Sequence, residues 1–205
     1  MVQLISSLYS VATISSQRIG LFGGSFNPVH KGHVAVSEEA IKRLRLDEVW
    51  WLVSPQNPLK DKRDTADFNQ RIDRAKSLIS NPRVRVTRLE AALNTRTTAQ
   101  TFRRLAPMFR HGRFVWIMGA DSFAGLHRWN DWREIPATLP LAVFARPGWT
   151  QKALGSPAAR LLAPHRLDMS DATRLADLAA PAWCFINMPM RHESSTAIRK
   201  AANGQ

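Results

Sequence analysis

Two histidines three residues apart with a glycine between them, His30 and His33, are the densest chemical signal in this 205-residue chain. They end the string Gly23-Gly24-Ser25-Phe26-Asn27-Pro28-Val29-His30-Lys31-Gly32-His33. The glycines let backbone approach a ligand closely and adopt positive φ. Pro28 stops an extended run and helps launch a helix. The first turn of that helix carries both imidazoles on one face. Its unsatisfied N–H groups and positive dipole end already favour an anion, so two imidazoles added there suit the oxygens of a phosphate chain. An isolated His-x-x-His pair is more often a metal site or packed core, but no further His or Cys ligand follows at a metal-binding spacing. The string lacks the Gly-Lys-Ser/Thr ending of a Walker loop and the G-x-G-x-x-G of a dinucleotide-binding dehydrogenase.

Composition agrees with an anionic ligand without choosing one. The formal net charge is +13, from 7 Lys and 22 Arg against 16 acidic residues. The basic residues are scattered and form no block of five like charges, which is the pattern of solvated helix faces. Apolar runs fall well short of the ~20 residues that span a bilayer, which excludes a spanning helix. One cysteine, Cys184, excludes an internal disulfide framework. At 44% hydrophobic the chain can bury a substantial core. The expectation is a cytoplasmic protein with no membrane partner.

The elements that must position the histidines alternate along the chain. Strands are expected at Arg18–Phe22, Glu48–Val53, Arg83–Arg88, Arg113–Met118, Pro140–Ala145 and Trp183–Asn187. Helical periods are expected at His30–Leu46, Ala66–Ile79, Thr97–Met108, around Phe123 and Trp132, at Asp171–Ala179 and at Ser194–Ala202. This order predicts an α/β fold: a Rossmann-like, doubly wound, mainly parallel sheet with helices on both faces. Such sheets bind ligands just beyond the carboxyl ends of their strands, where strand order reverses. Residues 1–17 read as an N-terminal extension, expected to be disordered, and 18–205 as a single domain. The Pro- and Gly-containing stretch Arg146–Pro164 reads as the loosest loop.

His30-Lys31-Gly32-His33 after Gly-Ser-Phe-Asn-Pro resembles the H-x-G-H signature of the nucleotidyltransferase superfamily. Ser194-Ser195-Thr196-Ala197-Ile198-Arg199 resembles that superfamily's S-S-T-x-I-R motif. Alone, Ser-Ser-Thr before a helix is an ordinary N-cap; after the last strand it places a second helix start opposite the first. The resemblance implies an ATP site formed by Gly23, Gly24, Ser25, Phe26, Lys60, Gly119, Asp121, Ser195, Thr196 and Ile198, with His30, His33 and Arg199 catalytic.

Trp116 to Trp132, containing Gly119-Ala120-Asp121 and Trp129, is similar to the bacterial nicotinate-nucleotide adenylyltransferases, as is the turn Ala145-Arg146-Pro147-Gly148-Trp149. That similarity implies that Trp129 stacks on the pyridine ring of nicotinate mononucleotide, an arrangement suited to an electron-poor ring. Trp132 reads as core packing. Asn57 and Thr98 are implied to contact the same nucleotide, Thr98 through the stretch Thr98-Ala-Gln-Thr101-Phe102. Three departures stand out: Asn57-Pro58-Leu59-Lys60 is shorter and lacks the family's usual histidine, Phe102 stands where the family's T-x-x-T-L stretch has Leu, and Glu193 replaces an apolar residue.

The expected reaction is adenylyl transfer from ATP to nicotinate mononucleotide, giving deamido-NAD and pyrophosphate, a step of NAD biosynthesis. Mg²⁺ is expected to ride on the ATP phosphates, with no protein metal site. Nicotinamide mononucleotide or another phosphate acceptor is the alternative substrate. The non-enzyme alternative is an RNA-binding Rossmann-like module, although no stable nucleic-acid partner is expected.

Overall fold

The computed structural model describes residues 17–55, 66–109, 112–189, 195, 198 and 199. Seven strands form one parallel sheet: β1 (Arg18–Gly24), β2 (Glu48–Val53), β3 (Val84–Thr87), β4 (Arg113–Gly119), β5 (Leu141–Phe144), β6 (Arg166–Leu167) and β7 (Trp183–Ile186). Their order is β3-β2-β1-β4-β5-β7-β6. The chain runs outward from β1 to β3, then returns to lay β4 on the other side of β1. Strand order therefore reverses between β1 and β4, and the loops after these two strands meet at the crevice that the topology rule singles out.

The strands read as unbroken apolar runs because both faces of the sheet are covered. Every residue of β2, β5 and β7 is buried. Alternate residues divide between two cores. Leu21, Trp50, Trp116, Val143 and Trp183 share one face with Phe102, Phe123 and Ile135 from the helices. Phe22, Trp51, Ile117, Phe144 and Ile186 share the other with Val36, Ile41 and Ile72.

Helices α1 (Lys31–Arg43) and α2 (Phe68–Leu78) cover this second face. The first face carries α3 (Leu89–Ala92), α4 (Thr98–Phe109), α5 (Ala120–Ala124), α6 (Glu134–Thr138), α7 (Thr150–Leu154) and α8 (Pro157–Leu161). Asp67 caps α2 by accepting from the backbone N–H groups of Asn69 and Gln70 at 2.8 and 3.1 Å.

Several elements differ from expectation. The stretch Arg146–Pro164 contains two short helices. Gly155 ends α7, while Ser156 caps α8 and Pro157 opens it, so the residues that read as loop breakers are helix punctuation. The segment expected as a helix at Asp171–Ala179 is a 3₁₀ run, Met169–Asp177, opened by Asp168 accepting from Ser170 N at 2.9 Å. The helical stretch expected around Trp132 begins only at Glu134, after a turn with Asp131 at φ 53°. Helix α3 and the two-residue β6 are too short to leave a periodic signal. Residues 1–16, and most of the helix expected at Ser194–Ala202, lie outside the described residues, although Ser195, Ile198 and Arg199 are helical.

Candidate active site at the β1–β4 switch point

Strand β1 ends on Gly23 and Gly24. A Cβ on Gly23 would lie 2.1 Å from Cη2 of Trp116, whose indole, anchored on β4, passes beneath it. Glycine is thus required by close approach, not by an unusual φ. The chain then turns through Phe26, held at φ 47°, with its ring stacked on Trp51 at 4.6 Å and 9°. Asn27–Pro28 is cis, and His30 follows as the N-cap of α1.

His30 is buried, and its ring centroid lies 3.8 Å from that of His33. The backbone N–H of His30 donates to Nδ1 of His33 at 3.2 Å. With Nδ1 accepting, the neutral ring carries its proton on Nε2, which becomes a hydrogen-bond donor. Burial is the main cause that holds the His33 pKa well below 6.5, and the electrostatic influence of His30 and Arg146 adds to it. His33 is therefore a neutral donor at pH 7. The first turn of α1 contains no acidic residue to cancel its dipole.

The far end of the chain closes on the same loop. Ser195 Oγ donates to Pro28 O at 2.9 Å, and Arg199 Nη1 donates to Asn27 O. From the neighbouring strands, Asp121 at the start of α5 pairs with Arg146, Oδ2 to Nη1, at 3.0 Å. Gly119 caps α5, and a Cβ there would fall 2.4 Å from Asp121 Oδ1. The fold thus gathers Gly23, Gly24, Ser25, Phe26, His30, His33, Ser195 and Arg199 around one loop, with Gly119 and Asp121 at the end of the adjoining β4. Ile198 is 37% exposed and contributes no buried packing.

Thr98 and Trp129 stand on the first face of the sheet. Thr98 opens α4, and Trp129 follows a 3₁₀ turn, Leu126–Arg128, half-buried against the core. Arg103 of α4 links these elements by pairing with Asp131 at 2.8 Å and Glu134 at 2.5 Å. Trp132 packs against the same core, as expected. Asn57, Lys60 and Thr196 lie outside the described residues.

Three residues given no site role from the sequence matter here. Arg146 brings a cation to His33, and its position directly after β5 was the available signal. Arg71 is 1% exposed inside α2, and Glu90 is buried in α3; neither carries a mark in the sequence. Glu90 lies against the hydroxyls of Ser54 and Thr101, and burial raises its pKa to about 7. A separate cleft lined by Arg113, Leu139, Pro140 and Asp177 lies at the opposite, amino-terminal end of β4 and β5, away from this chemistry.

Comparison with known proteins gives this geometry a family. Residues 21–201 match the cytidylyltransferase-like family model. A protein of Ruegeria pomeroyi described as "Probable nicotinate-nucleotide adenylyltransferase" is 52% identical over 185 residues, covering 90% of this chain and 86% of that one. A Rhizobium meliloti protein of the same description is 50% identical over 186 residues, covering 91% and 99%. Among solved structures, the nicotinic acid mononucleotide adenylyltransferase of Plasmodium falciparum complexed with NaAD superposes with a TM-score of 0.67. It shares 17% identity, with 90% of this chain and 83% of that chain covered, and so speaks to the fold. By fold, by motif and by identity across nine-tenths of its length, the chain belongs to the nicotinate-nucleotide adenylyltransferases of the cytidylyltransferase-like family.

Proposed function

We infer that the protein transfers the adenylyl group of ATP to nicotinate mononucleotide, releasing pyrophosphate and forming deamido-NAD. The observation that carries this reading is the imidazole pair at the start of α1, on a loop braced by Ser195 and Arg199. The phosphate of the mononucleotide attacks the α-phosphorus of ATP, and the bond to the β-phosphate oxygen breaks. A phosphate monoester is already nucleophilic, so the reaction needs no covalent enzyme intermediate. Catalysis comes from positioning and charge stabilisation.

In this proposal His30 and His33 hold the α- and β-phosphate oxygens, His33 through its Nε2 proton. Backbone N–H groups of the Gly23–Phe26 turn face the same oxygens. Arg199, Lys60, Ser195 and Thr196 bear on the departing pyrophosphate. Gly119, Asp121 and Ile198 line the adenosine side, with Arg146 paired to Asp121 and its charge felt at His33. Trp129 stacks on the pyridine, and Thr98 with Asn57 contacts the nicotinate nucleotide. Mg²⁺ enters on the ATP phosphates. Imidazole and guanidinium groups suit phosphate oxygens, whereas this hard cation prefers oxygen ligands, so the substrate supplies them. We place the reaction in the cytoplasm, where ATP is available.

The test is turnover with ATP and Mg²⁺ on paired acceptors, nicotinate and nicotinamide mononucleotide, with pyrophosphate measured. The expected result is a higher kcat/KM for the nicotinate acceptor. Equal values, or a preference for the amide, would refute the acceptor assignment. Absence of product would refute the enzyme reading.

A further inference from the structure

The buried guanidinium of Arg71 is committed to backbone: it binds four carbonyls. Nη1 donates to Ser25 O and to Ser54 O, both at 2.7 Å. Nη2 donates to Pro55 O at 2.8 Å, and Nε to Ala66 O at 3.0 Å. Four of its five N–H groups are thereby used. These acceptors belong to three separate stretches: the turn after β1, the end of β2, and the approach to α2. Two further bonds knit the stretches together, from Ser54 N to Gly24 O at 3.0 Å and from Ala66 N to Asn27 Oδ1 at 3.3 Å.

The consequence for the site follows from peptide geometry. In a trans peptide the C=O and the next N–H point in opposite directions. Arg71 draws the Ser25 carbonyl toward α2, so the N–H of Phe26 points away from α2. Phe26 also sits at φ 47°, a conformation costly for an aromatic residue and retained only where its surroundings impose it. Trp51 supports the Phe26 ring, and Arg71 supports the peptide that precedes it.

We propose that Arg71 is a positioning residue for adenylyl transfer, fixing the Ser25–Phe26 peptide so that the Phe26 N–H is presented to the phosphates of ATP. This rests on the assignment of the first loop to ATP given above. Lysine at this position keeps a charge and most of the stem, but one ammonium cannot span acceptors on three segments as a planar fork does. Methionine keeps only the stem.

The experiment compares Arg71→Lys and Arg71→Met with wild type in three readouts. These are folded fraction by circular dichroism and urea melting, kcat with saturating substrates, and ATP affinity by calorimetry without the acceptor. A fourth readout is the Phe26 amide signal in protein labelled with ¹⁵N-phenylalanine, followed as ATP is added. Both variants are expected to fold, to bind ATP about tenfold more weakly and to lose about 10²-fold in kcat, the scale of a small misplacement of a catalytic group. The Phe26 amide response to ATP is expected to disappear. Should Arg71→Met fail to fold, Arg71→Lys carries the test alone.

Full activity in Arg71→Lys would overturn the proposal, because charge alone would then suffice. So would kcat and ATP affinity within about twofold of wild type, or losses that track only the unfolded fraction. If wild type itself gives no product, the functional assignment fails, and ATP binding with the Phe26 amide still decides the role of Arg71.

Discussion

Replacing Glu90 by glutamine tests the electrostatics of the first core most directly. Glu90 is 8% exposed, and burial raises its carboxyl pKa from the ordinary 4.5 to about 7, against smaller opposing contributions from Ser54 and Thr101. A folded-state value above the unfolded one means that the native protein binds the proton more tightly. Its stabilising effect is full below about pH 4.5 and is lost as pH rises toward and past 7. A tenfold difference in proton affinity between folded and unfolded chains is worth about 1.4 kcal/mol, so the wild type should lose about 3 kcal/mol from this group between pH 4.5 and 8. Glu90→Gln keeps the shape and hydrogen-bonding capacity but cannot ionise. Urea unfolding, followed by tryptophan fluorescence at half-unit pH intervals, gives the stability of both proteins. The variant's advantage should grow by about 3 kcal/mol across that interval. His33 works in the opposite sense: its depressed pKa favours the native state above about 6.5 and costs stability as pH falls. It titrates equally in both proteins and cancels in the difference. A difference that changes by less than about 1 kcal/mol would refute the reasoning, because a carboxyl that buried would then be ionising at no cost.

Three other outcomes are expected. His33→Ala should fold normally yet lose about 10²- to 10³-fold in kcat, the typical result of removing a charge-stabilising donor; turnover close to wild type would remove His33 from the mechanism. Gly23→Ala should destabilise by about 1–3 kcal/mol in urea melts, because its methyl must displace the Trp116 indole. Pairing it with Trp116→Leu should recover part of that loss, seen as a non-additive double-mutant cycle. Trp129→Ala should raise KM for nicotinate mononucleotide about 3- to 10-fold, the size of one stacking interaction, while KM for ATP stays within about twofold.

Much of the fold was legible because buried parallel strands announce themselves. Glu48–Val53 and Arg113–Met118 could hardly be anything else, and the loop after the first strand carried its chemistry in residue types. What escaped notice was what sequence periodicity cannot register. Arg71 reads as one more solvated arginine in a basic chain, and only the three-dimensional meeting of four carbonyls reveals its work. Glu90 occupies a four-residue helix, too short for any pattern. Conversely, Gly155 and Pro157 were visible but read as signs of a loop, since the same residues mark the end of one helix and the start of the next. His30 and His33 were recognisable as a pair, but the tautomer that makes His33 a donor depends on one backbone N–H.

The grip of Ser195 and Arg199 on the first loop also has a meaning in time. Pro28 and Asn27 leave the ribosome early, and their partners follow 167 and 172 residues later. A chain interrupted after β7 would already possess the seven described strands and both cores, yet the turn after β1 would lack the contacts made by Ser195 and Arg199. The cores and the bracing of that turn are therefore completed at different moments of synthesis.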